Sequence, residues 1–286
     1  MSKKATPTVR DRIVAAEFRR LREESGESQA EVEAALKLSA GSLSRWEGLK
    51  TSPSAAAARQ LFDHYGVSGD KLETLVEFAR VARRRDWLQG ADETMPAWFE
   101  DFRRLEFEAS EIRDLSLNVF TGLLQRRDYA EHILRAGIVG SDVEKHVETR
   151  MNRKEVLGPR KNQDPLRLWS IIHESVLYRN IGGRDVMLDQ LGYVLEMANK
   201  PNITIQIIPN DYGAHTAIST PFQLLKFDLA PEFGVVYLEH LTGALYRDTP
   251  SEAKLYDNAY LHLIKTALPE VQSLRLIQNV MKELKR

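Results

Sequence analysis

Cysteine is absent from the 286 residues, which excludes disulfides, thiolate metal sites and cysteine nucleophiles. No stretch approaches the ~18 apolar residues of a membrane span, and the opening MSKKATPTVRDR is basic without the apolar run of a secretory signal. A cytoplasmic location is therefore expected, with no membrane partner. Charge of one sign is not in excess either: 40 Lys and Arg against 41 Asp and Glu leave a formal net charge of -1. The chain as a whole is not a basic nucleic-acid binder, although a DNA-binding module needs only a local basic surface. Residues 1–90 carry roughly +3. Internal repeats, low-complexity segments, Gly-rich phosphate loops and nucleophile elbows are all missing, and no cofactor is implied.

What is present is an ordinary globular composition, 43% hydrophobic and 28% charged, in a chain long enough for two domains. The most informative stretch is Gly26 to Trp46, GESQAEVEAALKLSAGSLSRW. Ser28 is suited to cap a first helix in which Val32, Ala35 and Leu36 recur at helical spacing. Lys37 and Leu38 break the pattern. Ser39 is read as a second cap, opening a short helix that buries Leu43 and Trp46 and leaves Ala40, Gly41, Ser42 and Arg45 facing outward. A short exposed helix with small residues at its start suits the major groove of DNA, about 12 Å wide.

This stretch resembles the helix-turn-helix of the XRE family, the lambda-repressor-like regulators. Gln29 matches the Gln that opens the first helix of the motif and typically touches a backbone phosphate. Ser44, Arg45, Trp46 and Glu47 match the Ser-Arg-aromatic-Glu run that closes the recognition helix. The resemblance implies DNA-binding residues Gln29, Ser39, Ala40, Gly41, Ser42, Ser44 and Arg45. Arg45 is the expected base reader, since Arg is the commonest bidentate partner of guanine. Two positions depart from the family: Glu33 stands where a small Ala is usual, and Lys37 where the turn usually has Gly. A Lys in a left-handed turn costs on the order of 1 kcal/mol.

Around the motif, Val14, Phe18 and Leu21 define a helix with Arg19, Arg20 and Arg22 on its outer side. Ser52 and Pro53 are read as the cap and first residue of a fourth helix carrying Ala58, Leu61, Phe62 and Tyr65 and ended by Gly66. Leu72, Leu75, Val76 and Ala79 mark a fifth, to about Arg85. A five-helix domain over 1–85 is what the resemblance implies. The run Arg83 to Arg85 serves either phosphate neutralisation or compensation of the helix dipole. Residues 86–96 read as a linker.

The rest, 97–286, is expected to be an α+β domain, so the fold class is mainly α with an α+β C-terminal part. Phe102, Leu105, Phe107 and Ile112 supply a helical apolar series, FTGLLQRRDYAEHIL a turn and helix, and Ser141 to Leu157 a further helix with a charged, solvated outer face. LRLWSII and ITIQII, with a helix from Arg184 to Ala198 between them, suggest a parallel strand pair with a right-handed crossover. PFQLLKF and GVVYLEH read as an antiparallel hairpin, GALYR as a short added strand, and Ser251–Ala267 and Pro269–Lys285 as closing helices around a small mixed sheet.

Several stretches here resemble the C-terminal domain of WhiJ-like actinobacterial regulators: GLLQRRDYA (122–130), HESVLYRNIGG (173–183), DQL (189–191), NKPNITIQIIP (199–209), YGAH (212–215), VVYLEH (235–240) and ALPEVQS (267–273). The resemblance implies an antitoxin-like regulator paired with a small BldB-like protein, and supplies no ligand. His173, Glu174, Arg179, Tyr212, His215, Glu239 and Tyr246 lie at or near strand ends, where open sheets form crevices, and are the candidate ligand or partner pocket. Their spacings match no metal motif.

Three readings of this domain stay open: a sensor of a small-molecule effector, with an apolar pocket lined by residues such as Trp169, Tyr212 and Tyr246; a docking module for a small protein; or a hydrolase using His173, Glu174, His215 and Glu239. The leading expectation is a non-enzymatic, homodimeric regulator bound to a double-stranded DNA operator.

Overall fold

The computed structural model describes residues 7–82, 97–137, 143–160, 163–228, 233–241 and 243–286. The chain divides into two compact units, residues 1–93 and 94–286. The expected linker 86–96, the run Arg83 to Arg85 and the start of the Ser141–Leu157 helix lie outside the described residues.

Five helices build the first unit: α1 (Val9–Ser25), α2 (Gln29–Ala35), α3 (Ser42–Glu47), α4 (Ala55–His64) and α5 (Gly69–Ala82). Local signals set their starts. Thr8 and Asp11 form a reciprocal capping box at α1, and Ser28 and Glu31 form one at α2. The cap of α4 is Ser54, which accepts from the Ala57 N–H, and not Ser52. Ser52 instead donates to the Asp11 carboxylate and ties the preceding loop to the start of α1. The core is formed by Val14, Phe18, Val32, Leu43, Leu61, Phe62, Leu75 and Ala79, all buried. The Phe18 ring lies 4.8 Å from Phe62 and 6.2 Å from Trp46 between centroids. Each such side chain contributes ~1.5–3 kcal/mol of burial. Ala35 departs from expectation: it is exposed, and the inward face of α2 is Val32 with Glu33.

The second unit is α+β. In chain order it holds α6 (Ala97–Glu108), β1 (Glu111–Ser116), α7 (Arg127–Gly137), α8 (Val143–Asn152), continued by a 3-10 turn over Arg153–Leu157, and β2 (Arg167–His173). Then come the short α9 (Ser175–Tyr178), α10 (Arg184–Met197), β3 (Ile203–Ile208), β4 (Phe222–Lys226), β5 (Gly234–His240), β6 (Gly243–Arg247), α11 (Pro250–Thr266) and α12 (Glu270–Leu284). The sheet order is β3-β2-β1-β4-β5-β6. β1, β2 and β3 run parallel, and β4, β5 and β6 follow antiparallel. The expected parallel pair, hairpin, added strand and closing helices are all present.

The strand β1 was not expected. The Phe102-to-Ile112 series breaks after Glu108: Phe102 and Leu105 are buried on α6, Phe107 is exposed, and Ile112 lies in the middle of the sheet on β1.

One face of the sheet packs on α11, where Leu115, Ile171, Ile208, Phe222, Leu224 and Val236 meet Tyr260, Leu263 and Ala267. On the opposite face, Phe102 of α6 stacks on Tyr237 of β5 at 4.1 Å. At Ile207 the outer edge of β3 is met by the segment entering α12. Leu268 N–H donates to the Ile207 carbonyl at 2.8 Å, and Ile207 N–H donates to Ser273 Oγ at 2.9 Å.

Candidate functional site

In the first unit, two carboxylates determine how α3 is held. Glu47, at the end of α3, is 3% exposed. Arg22 of α1 donates to both of its oxygens, Nε to Oε1 at 2.7 Å and Nη2 to Oε2 at 2.9 Å, and Gln29 Nε2 of α2 donates to Oε2 at 2.8 Å. Arg19 adds a bond from Nη2 to the Glu47 carbonyl at 2.8 Å. Arg22 and Arg19 therefore face the motif and not solvent. Only Arg20 is spent on the surface of its own helix, against Glu17 and Glu24.

Glu33 performs the second task. Its carboxylate accepts from the backbone N–H of Gly41 at 2.8 Å and of Leu43 at 2.7 Å, so it caps the start of α3 from the neighbouring helix. The residue that departs from the resembled family thus takes over the role assigned to Ser39. Ser39 does not cap: its hydroxyl pairs with that of Ser42 at 2.8 Å, and the cap position is Gly41, left-handed at φ +75°. Lys37 also sits in the left-handed region, at φ +53°.

The outward surface of α3 is narrower than expected. Ser39, Ala40, Ser44 and Arg45 are exposed and Gly41 half-buried, whereas Ser42 is buried at 5% exposure. Ser42 is the correction here, because its hydroxyl turns inward to Ser39 and also receives Arg45 Nη2 at 3.1 Å. Arg45 Nη1 lies 3.3 Å from the Ala40 carbonyl, so the guanidinium folds back over Gly41. A Cβ at Gly41 would meet Arg45 Nη1 at 3.1 Å. Gln29 is half-buried with its amide nitrogen already engaged by Glu47.

The C-terminal candidates fall into two groups. At the ends of β2 and β3, His173 Nδ1 contacts Ser175 Oγ at 2.7 Å, and the His173 and His215 rings lie 6.1 Å apart. Glu174 accepts from the Asn210 N–H at 2.7 Å. Burial pushes the His173 pKa down and the nearby His215 adds to this, while Glu174 opposes it. Tyr212 and His215 line an open cleft of about 340 Å³ together with Ala214, Thr216, His262, Lys265 and Thr266. Arg179 is exposed, beyond the end of α9.

Glu239 and Tyr246 are not part of this group. They sit on β5 and β6, with β1 and β4 between β2 and β5. Glu239 accepts from the Tyr237 hydroxyl at 3.1 Å, and Tyr246 lies 5.4 Å from the Tyr237 ring. Trp169 is turned to the α11 face, edge-on to Tyr260, with its Nε1–H on Gln206 at 2.8 Å. Trp169, Tyr212 and Tyr246 therefore do not line one pocket. Among the described residues no group of three His, Asp or Glu could hold a metal ion.

The expected solvated face of the 141–157 stretch is present at Glu144, Lys145 and Glu148, which are exposed, whereas Arg153 turns inward. Arg153 and Glu106 form a buried bidentate pair, with 2.7 and 2.8 Å contacts, and the Arg153 guanidinium lies over Phe99 at 4.9 Å and Phe102 at 5.1 Å. Asp114, in the middle of β1, is buried too. Ser116, Ser170 and Gln223 donate to it at 2.7, 2.8 and 3.0 Å. Neither feature carries a sequence signal, since charged residues at helical or strand spacing normally face water.

A five-helix unit presenting a short, clamped helix is the architecture of a helix-turn-helix DNA-binding module. Residues 13–75 match the helix-turn-helix domain family. Residues 99–279, more than half of the chain, match the family described as Domain of unknown function (DUF5753), and the chain belongs to that family. It is a helix-turn-helix regulator with a C-terminal domain of that kind. Comparison with curated proteins and with solved structures returned no match. No helix among the described residues is long and apolar enough to cross a membrane.

Proposed function

We propose that this protein is a homodimeric, sequence-specific transcriptional regulator of the XRE type. Residues 11–85 bind a double-stranded DNA operator, and residues 97–286 receive a signal from a small-molecule effector or a small BldB-like partner protein, as in WhiJ-like, antitoxin-like regulators. The observation that carries this is the presentation of α3. Glu47 and Glu33 fix both ends of the helix from α1 and α2 and leave Ala40, Ser44 and Arg45 outward. A helix held this way needs little further ordering of its backbone at binding, and Arg45 has only to exchange its bonds to Ala40 and Ser42 for a base edge. Dimerisation follows from information content: one short helix reads few base pairs, and two half-sites about 34 Å apart multiply the specificity.

The C-terminal unit acts without catalysis in this reading. A hydrolase relying on His173, Glu174, His215 and Glu239 is less well supported, because Glu239 belongs to a different part of the sheet from the other three.

The test is genome-wide footprinting of the tagged protein, repeated with Arg45→Ala and Gln29→Ala. Discrete peaks sharing a two-fold motif are expected. Arg45→Ala costs about 1–3 kcal/mol and relaxes base preference, while Gln29→Ala weakens all sites alike. Unchanged peaks in Arg45→Ala would remove α3 as the reading helix.

A further inference from the structure

On the α6 side of the sheet, three basic residues fall on one face of α8 and its continuation: His146, Arg150 and Arg153, at spacings of four and three. Their situations differ. Arg153 is fully matched by both oxygens of Glu106. Arg150, half-buried, has one side-chain hydrogen-bond partner among the described residues: its Nη1 donates to Gln125 Oε1 at 2.8 Å. Gln125 is itself locked, 2% exposed, with its amide nitrogen 2.6 Å from the Phe120 carbonyl, so its oxygen is turned towards Arg150. Among the described residues no carboxylate lies within ion-pairing distance of Arg150. Glu106 is taken by Arg153, and Glu239 accepts from Tyr237.

Beside Arg150, His146 Nε2 is buried without a partner among the described residues. His146 is 5% exposed and one turn before Arg150. An orphaned buried polar atom is costly for a fold to keep, and a bound ion is one way to complete it. The remaining N–H groups of Arg150 are not among the buried atoms left without a partner, so they are open to a ligand.

We propose that Arg150 anchors a binding site for a small anionic ligand, a carboxylate or phosphate group, with Gln125 orienting the guanidinium and His146 beside it. This rests on the reading of the C-terminal unit as a signal receiver and gives that signal its chemistry. Arg150 supplies unused N–H donors in the fork geometry that matches both anions. Burial and the neighbouring Arg153 push its pKa down to about 10, against the pull of Glu239, Tyr237 and Glu106, which fits a cation still short of a counter-charge.

The experiment measures thermal unfolding of the full chain in sodium phosphate and in sodium acetate, each against sodium chloride at equal ionic strength. The wild type is expected to gain melting temperature saturably with at least one of the two probes, and which one identifies the group. Arg150→Met is expected to lose that gain, with half-saturation raised at least tenfold, while melting no lower than wild type in chloride alone. A structural arginine would give the reverse, a lower melting point in chloride. If Arg150→Met does not fold, Gln125→Leu is read in the same way. No saturable gain in the wild type, or a gain that survives both substitutions, overturns the site. A protein that binds its operator yet shows no anion effect keeps the regulator reading and loses only this one. An anion effect without operator binding does the opposite.

Discussion

The Leu43 N–H donates to the carboxylate of Glu33 at 2.7 Å, so α3 is started by a residue ten positions earlier, on the preceding helix. Short helices have few internal hydrogen bonds, and their first N–H groups need outside acceptors. Glu33→Ala, which restores the residue usual in the resembled family, is expected to destabilise the first unit by about 1–3 kcal/mol, because a buried donor is left unmet. Chemical denaturation of the two proteins checks this, and an unchanged midpoint would count against the capping role.

Lys37 gives a prediction of opposite sign. At φ +53° it occupies the conformation that suits glycine. Lys37→Gly is expected to gain up to about 1 kcal/mol, reduced by the extra freedom of glycine in the unfolded chain. Lys37→Ala gains nothing, so Gly above Ala is the ordering to look for in thermal melts. Ala above Gly would mean that the turn is relaxed in solution.

Asp114 predicts a pH dependence. Burial raises its pKa above the ordinary value, and the bonds from Gln223, Ser116, Ser170 and Thr121 only partly oppose this. A carboxyl with a folded pKa above its unfolded value favours folding below the unfolded pKa, about 4. That contribution is lost as pH rises through the folded value. The melting temperature of wild type relative to Asp114→Asn is therefore expected to fall from pH 4 upwards. A difference that stays flat or rises with pH would show that the hydrogen bonds outweigh desolvation.

The pair Arg153 and Glu106 predicts a large single-site cost. Glu106→Gln leaves a buried guanidinium uncompensated, and about 3–5 kcal/mol of stability is expected to be lost. Replacing both partners, as Glu106→Leu with Arg153→Met, is expected to recover most of it. Equilibrium unfolding of the single and double variants distinguishes a matched pair from two independent residues.

Where apolar residues lined one face, the sequence was enough. The strands LRLWSII, ITIQII, PFQLLKF and GVVYLEH announce themselves, as do the helix faces built on Phe18, Phe62 and Leu75. The central strand β1 did not. Its residues Arg113 and Asp114 keep local partners, Glu111 and Ser116, but are fixed in the sheet by distant ones: Arg113 also pairs with Asp257 of α11, and Asp114 is also met by Ser170 and Gln223. No local pattern encodes a partner more than fifty residues away.

The same reason explains the site. Ser28 and Arg45 were legible because capping and exposure are local, whereas the burial of Ser42 and the work of Glu33, Arg22 and Arg150 depend on what packs beside them. Ser52 and Ser54 carry the same local signal, so the sequence does not separate the cap, Ser54, from its neighbour. The bond from Ser52 to Asp11 spans 41 positions.

A sheet recruits copies of itself into fibres only if each molecule offers two docking margins, one for the molecule ahead and one for the molecule behind. Here Leu268 and Ser273 occupy the bonding groups of Ile207 on one margin. A strand arriving along that margin would therefore have to displace the turn into α12 from Ile207 before it could pair there.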